Sequence, residues 1–125
     1  MTLTITDQTE LYALYRALME AKFHESPNAP EVQGSPYVAS VVHRVVDALI
    51  EAEEAASNAR AVAKWRDWRR GEQHDWLRRF VLARLAEHPQ LTPEQRDKHV
   101  RALTAPLIVD DAWVAEVIAA ASSSS

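Results

Sequence analysis

The chain has 125 residues, no cysteine and a formal charge of −4, with 47% hydrophobic and 26% charged side chains. That length and composition suit one domain, residues 1–125, with a hydrophobic core of its own, and the missing cysteine excludes disulfides, thiolate zinc sites and cysteine nucleophiles. The stretch "MTLTITDQTE" has neither the basic start nor the apolar run of a signal peptide, and no segment nears the roughly 18 apolar residues of a membrane span, so a cytoplasmic location and no membrane contact are expected.

Helix formers dominate, and glycine occurs only twice. A first helix is predicted over about Asp7–His24, opened by Thr6 or Asp7, with Glu10 at capping-box distance and Leu11, Leu14, Tyr15, Leu18 and Met19 at helical spacing. The stretch "SPNAPEVQGSP" then reads as a loop over about 26–35. Ser35-Pro36 is a strong helix start, with serine as N-cap and proline at the first helical position. The apolar spacing from Pro36 could continue to Arg70, on the order of 50 Å of helix, or break at Ser57-Asn58, where both side chains compete with the helical backbone. Gly71 suits a C-cap or hinge.

A further helix over about Glu72–Glu87 carries Trp76, Phe80, Val81 and Leu85 among apolar residues on most of its circumference, so it is expected at the centre of the core. Thr92-Pro93 with Gln95 starts a short helix, and Asp110 starts the last, with Val109 and Val114 placed as a hydrophobic staple. Residues 121–125 are serine-rich and expected to be disordered. "PLIVDD" is the one β-branched run, and one strand makes no sheet. The expectation is an all-α, single-domain helical bundle of five or six helices.

Charge reverses in the middle of this chain. Residues 60–84 hold eight basic and three acidic side chains, about +5, against about −6 before and −3 after. Trp65, Trp68 and Trp76 lie in the same stretch. Such a segment can dock an anionic partner or the molecule's own acidic remainder. On a helical wheel Ala61, Val62, Trp65 and Trp68 share one arc, while Arg60, Lys64, Arg66 and Arg70 face the other way. That separates rings from charges, whereas a stacking platform for single-stranded nucleic acid sets them side by side. The rings therefore read as core or interface, and Arg60, Lys64, Trp65, Arg66, Trp68, Arg69 and Arg70 as the candidate partner-binding set.

Arg84 projects onto the apolar arc of its helix. It can snorkel to solvent, pair with an acid of the Glu51–Glu54 stretch (Glu53 foremost), or await a ligand carboxylate or phosphate. His43 and Asp47 share a helix face at i, i+4, as do Glu20 and His24. Bundle metal sites use such pairs, yet the Glu-x-x-His signature is missing and no metal or cofactor is assigned. His43 with His74-Asp75 resembles the residue order of HD-type metal phosphohydrolases, but here the His-Asp pair opens an apolar helix where that family's pair ends one, and the resemblance is set aside. No phosphate-binding glycine loop or nucleophile elbow occurs.

The expected function is that of a small non-catalytic protein-interaction subunit or adaptor, binding another protein or itself, because Trp and Arg dominate binding hot spots. A nucleic-acid-associated subunit using 60–84 is the alternative, and a metal binder or hydrolase at His43/Asp47 a further one. The acidic flanks oppose the nucleic-acid reading.

Overall fold

A computed structural model describes residues 1–123. The chain is all-α, with six helices and no strand among the described residues: α1 (Gln8–Lys22), α2 (Pro36–Ala55), α3 (Ala59–Trp68), α4 (Asp75–Ala86), α5 (Pro93–Thr104) and α6 (Asp111–Ser123). Short 3-10 turns occupy Pro30–Val32 and Gly71–Gln73. The cap chemistry explains most boundaries. The Ser35 hydroxyl accepts from the N–H of Val38, the Thr92–Gln95 capping box is complete, and the Asp110 carboxylate accepts from the N–H of Trp113. The tail expected to be disordered from 121 is helical as far as Ser123, and 124–125 lie outside the described residues.

The long stretch from Pro36 does break at Ser57-Asn58. Ser57 takes a left-handed φ of 57°, which no helix continues, and the Asn58 side chain restarts the chain by accepting from the N–H of Ala61 at 3.2 Å. Asn58→Ala is expected to cost about 1 kcal/mol of stability, measured by denaturant melting.

α2 packs against α1, α3 and α5, while α4, α5 and α6 pack on one another. The α4–α6 side holds the largest buried cluster, built on Leu77, Val81, Leu85, Val100, Leu103 and Val117. The α1–α3 side buries Leu11, Val45 and Leu49 in one cluster and Val46, Ile50 and Val62 in another. Small residues, Ala39, Ala102 and Ala105 with Val42, let α2 and α5 approach and join the two sides. Val109 and Val114 share a cluster, as a staple requires.

The helix expected from Glu72 starts only at Asp75, because 71–73 close a 3-10 turn. Val81 and Leu85 are core as expected, but Phe80 is half-buried and Trp76 is 37% exposed. Trp76 falls in the first turn of α4, at the edge of the bundle, where its ring meets Phe23 instead of the core. Gly71 lies tight against the segment leading into α6. Its N–H donates to the Ile108 carbonyl at 2.8 Å, the Ile108 N–H donates to the Arg69 carbonyl at 2.7 Å, and a Cβ on Gly71 would fall 2.6 Å from Val109 Cγ1. Only glycine fits that approach without displacing a buried valine.

Candidate functional site

Arg60, Lys64, Arg66 and Arg70 are exposed, while Trp65 and Trp68 turn inward, as the wheel predicts for α3. The two indoles meet edge to face at 5.8 Å, and both meet Tyr15 of α1, at 5.1 and 5.7 Å. They fix α3 onto the α1–α2 pair. The basic residues then divide into two groups. Arg66 reaches across to Glu54 at 2.8 Å. Arg69 is only 11% exposed and serves as a strut: its guanidinium donates to Asp47 Oδ1 at 2.6 Å, to His43 Nδ1 at 3.0 Å and to the Pro106 carbonyl at 2.9 Å. Arg78, further along, pairs with Glu116 at 2.7 Å. Arg60 and Lys64 face solvent with no ion pair among the described residues. The basic segment thus docks largely on the chain's own acids.

A cleft of about 510 Å³ opens between α2, α3 and the segment before α6. Ile50, Ile108 and Val109 supply its apolar lining; Asp47, Glu51, Glu54, Glu72 and Asp110 face Arg66, Arg69 and Arg70 across its rim. Ile108 is 56% exposed, since the two backbone bonds to 69–71 hold it outward. Of the candidate partner-binding set, Arg66, Arg69 and Arg70 line this cleft and Arg60, Lys64, Trp65 and Trp68 do not; Ile108 was missed, because its orientation follows from pairing with residues nearly forty positions earlier.

The same geometry bears on His43 and Asp47. Both bond to Arg69, so a fixed cation already stands between them. Burial, reinforced by Arg69 and opposed by Asp47, pushes the His43 pKa down, which keeps Nδ1 an acceptor. Among the described residues no group of three His, Asp or Glu side chains could hold a metal ion.

Arg84 does not meet Glu53, whose carboxylate instead takes the Gln8 amide at 2.5 Å. It lies over the Phe80 ring, 5.8 Å from the centroid, and reaches Gln33 Oε1 and Glu87 at 3.4 Å each, leaving its buried Nε without a partner. The pairing acid comes from its own helix end because α2 packs chiefly on α1, α3 and α5.

The residue that sequence reasoning passed over is Lys22. It is fully buried, and its ammonium donates to the carbonyls of Gln33 at 2.9 Å and Ala102 at 2.5 Å. Gln33, also buried, donates its amide to the His24 carbonyl, so Lys22 and Gln33 together pin the 23–35 loop to the last turn of α5. Burial pulls the Lys22 pKa down to about 7. A signal existed: Lys22 stands four residues after Leu18 and eleven after Leu11, on the apolar stripe of α1.

The chain matches no protein-family model, no curated protein and no solved structure. Its class is that of an all-α helical bundle in which no described helix is long and apolar enough to cross a membrane.

Proposed function

We propose that this is a non-catalytic helical interaction subunit that docks another polypeptide in the cleft between α2, α3 and Ile108. The observation that carries this reading is an exposed isoleucine with an apolar lining inside a rim of both charge signs. Interfaces combine a small apolar centre with a polar rim in this way. Arg60 and Lys64 extend the charged border along α3, and Arg70, beside Asp67 and Glu72, continues it past the helix end. The nucleic-acid alternative is weaker, since Arg66, Arg69 and Arg78 are already engaged by carboxylates and would have to abandon them for phosphate.

The test compares the wild type with Ile108→Asp and Arg70→Glu in capture from source cells, with crosslinking through Lys64 and mass spectrometry. A polypeptide crosslinked at Lys64 and depleted about tenfold by Ile108→Asp is expected, the loss of one anchor being worth about 1.4 kcal/mol or more. If sedimentation of the pure protein shows a dimer that Ile108→Asp dissociates, the partner is a second copy. Recovery of nucleic acid with steep salt dependence, and of no protein, would replace this reading with the alternative.

A further inference from the structure

A second concavity, on the other side of α3, has a different chemistry. It is a groove of about 350 Å³ between α1 and the start of α4, lined by Tyr15, Phe23, Trp68 and Trp76, with Arg16, Glu20 and His24 beside them. Its rings come in near-perpendicular pairs: Tyr15 and Trp68 at 85° and 5.7 Å, Phe23 and Trp76 at 81° and 5.0 Å. His74 stands between the pairs, 6.5 Å from the Trp68 ring and 5.7 Å from that of Trp76, and its Nε2 is fixed on the Trp68 carbonyl at 2.7 Å.

We propose that this groove binds an alkylated ammonium cation between Tyr15, Phe23, Trp68 and Trp76, with the Glu20 carboxylate as counter-charge.

Three observations carry the assignment. Trp76 keeps 37% of its surface exposed at the groove, although burying it would be favourable, while the other three rings are half-buried behind it. Rings set at right angles around one space suit a rounded cation such as a trimethylammonium group, which is attracted to several ring faces at once; a flat guanidinium stacks on one face. The chain itself sets a cation over only one of the four rings, Phe23, where the Lys22 ammonium is tied to two carbonyls. Among the described residues only Lys22 over Phe23 and Arg84 over Phe80 make cation–ring contacts, and Arg16 makes none. Glu20 forms no ion pair among the described residues either, not even with Arg16 four positions before it, so its charge is free to balance a ligand. The groove shares none of its lining residues with the Ile108 cleft, and the proposal does not rest on the docking reading.

Choline and tetramethylammonium are titrated into ¹⁵N-labelled protein while the indole N–H signals of Trp68 and Trp76 are followed. The expected result is a saturable shift with a dissociation constant on the order of millimolar, as a few cation–ring contacts give. The neutral isostere of choline, with carbon in place of nitrogen, should bind at least about fivefold more weakly. Trp76→Ala should abolish binding while helicity is retained, and Glu20→Gln should weaken it about two- to fivefold. A trimethyllysine peptide tested beside choline separates the two sources: tighter choline points to a small metabolite, a tighter peptide to a modified side chain. Equal binding of the neutral isostere, or no saturation by any of these cations, would overturn the proposal.

Discussion

Leu77→Ala is expected to lower the unfolding free energy by about 3–5 kcal/mol, among the largest losses for one side chain in this protein. Leu77 is wholly buried. Its neighbours in the cluster, Val81, Val100, Leu103, Leu107 and Val114, come from α4, α5, α6 and the segment between the last two, and each is no more than 2% exposed. Walls fixed from so many elements cannot move in together to refill the space, so most of the cavity should persist. A Leu77 methyl also lies 3.0 Å from where a Cβ on Gly71 would stand, so the loss should extend to the 71–108 contact. Chemical denaturation reads this as a lower midpoint with an unchanged slope. Trp76→Ala, at the bundle edge, should cost less than half as much. A Leu77→Ala loss below about 1 kcal/mol would mean that the α4–α6 cluster is not the main core.

Stability should rise with pH from about 7 to 9.5, and Lys22→Met should flatten that rise. The folded Lys22 pKa lies near 7 against an ordinary value of 10.5, with burial as the cause. Between those values the unfolded chain holds the extra proton, so raising the pH favours the folded state, by at most about 1.4 kcal/mol per unit and a few kcal/mol in all. The two carbonyls on the ammonium and the C-terminal end of α5 work against burial and keep the gain below that ceiling. On the acid side His43 and His99 are also held below the ordinary histidine value, chiefly by burial, so stability should fall as pH drops through and below about 6.5. Tyr15, pushed up by burial and by Tyr12, acts in the opposite sense above about pH 10, which sets the upper limit of the useful range. Denaturant melts at half-unit pH steps check the result. A slope above pH 7 that survives Lys22→Met would assign it to another group.

Elements whose cause is local were legible in the sequence. Ser35-Pro36, Thr92-Pro93-Gln95 and Asp110 each satisfy backbone donors within three residues, and each marks a helix start in the structure, whereas the sequence left open whether the stretch is broken at Ser57-Asn58, where Asn58 caps α3. Trp65 and Trp68 were legible as inward rings because the spacing of α3 alone decides which arc is apolar. The features that were not legible depend on distant backbone. Lys22 is buried because a carbonyl eighty residues away accepts a hydrogen bond from its ammonium, and Ile108 is exposed because 69 and 71 claim its peptide groups. Trp76 was misplaced for a smaller reason: three residues spent on a 3-10 turn moved the start of α4 and left the indole at the rim.

Apart from His88 with His99, the ring contacts among the described residues form one unbroken series: Tyr12, Tyr15, Trp65 and Trp68, His74, Trp76, Phe23 and Phe80. Trp113 stands apart from it, against the α4–α6 cluster. Indoles crossed at 5.8 Å and 88°, as Trp65 and Trp68 are, couple their strongest transitions and give a paired band in far-ultraviolet circular dichroism, whereas an isolated indole gives no such pair. The four indoles therefore fall into three settings: the crossed pair, the exposed Trp76 and Trp113. The exciton band reports α3 where it seats on α1, and in a variant whose other indoles are replaced the emission of Trp113 reports the α4–α6 side, so the two show which side of the bundle opens first.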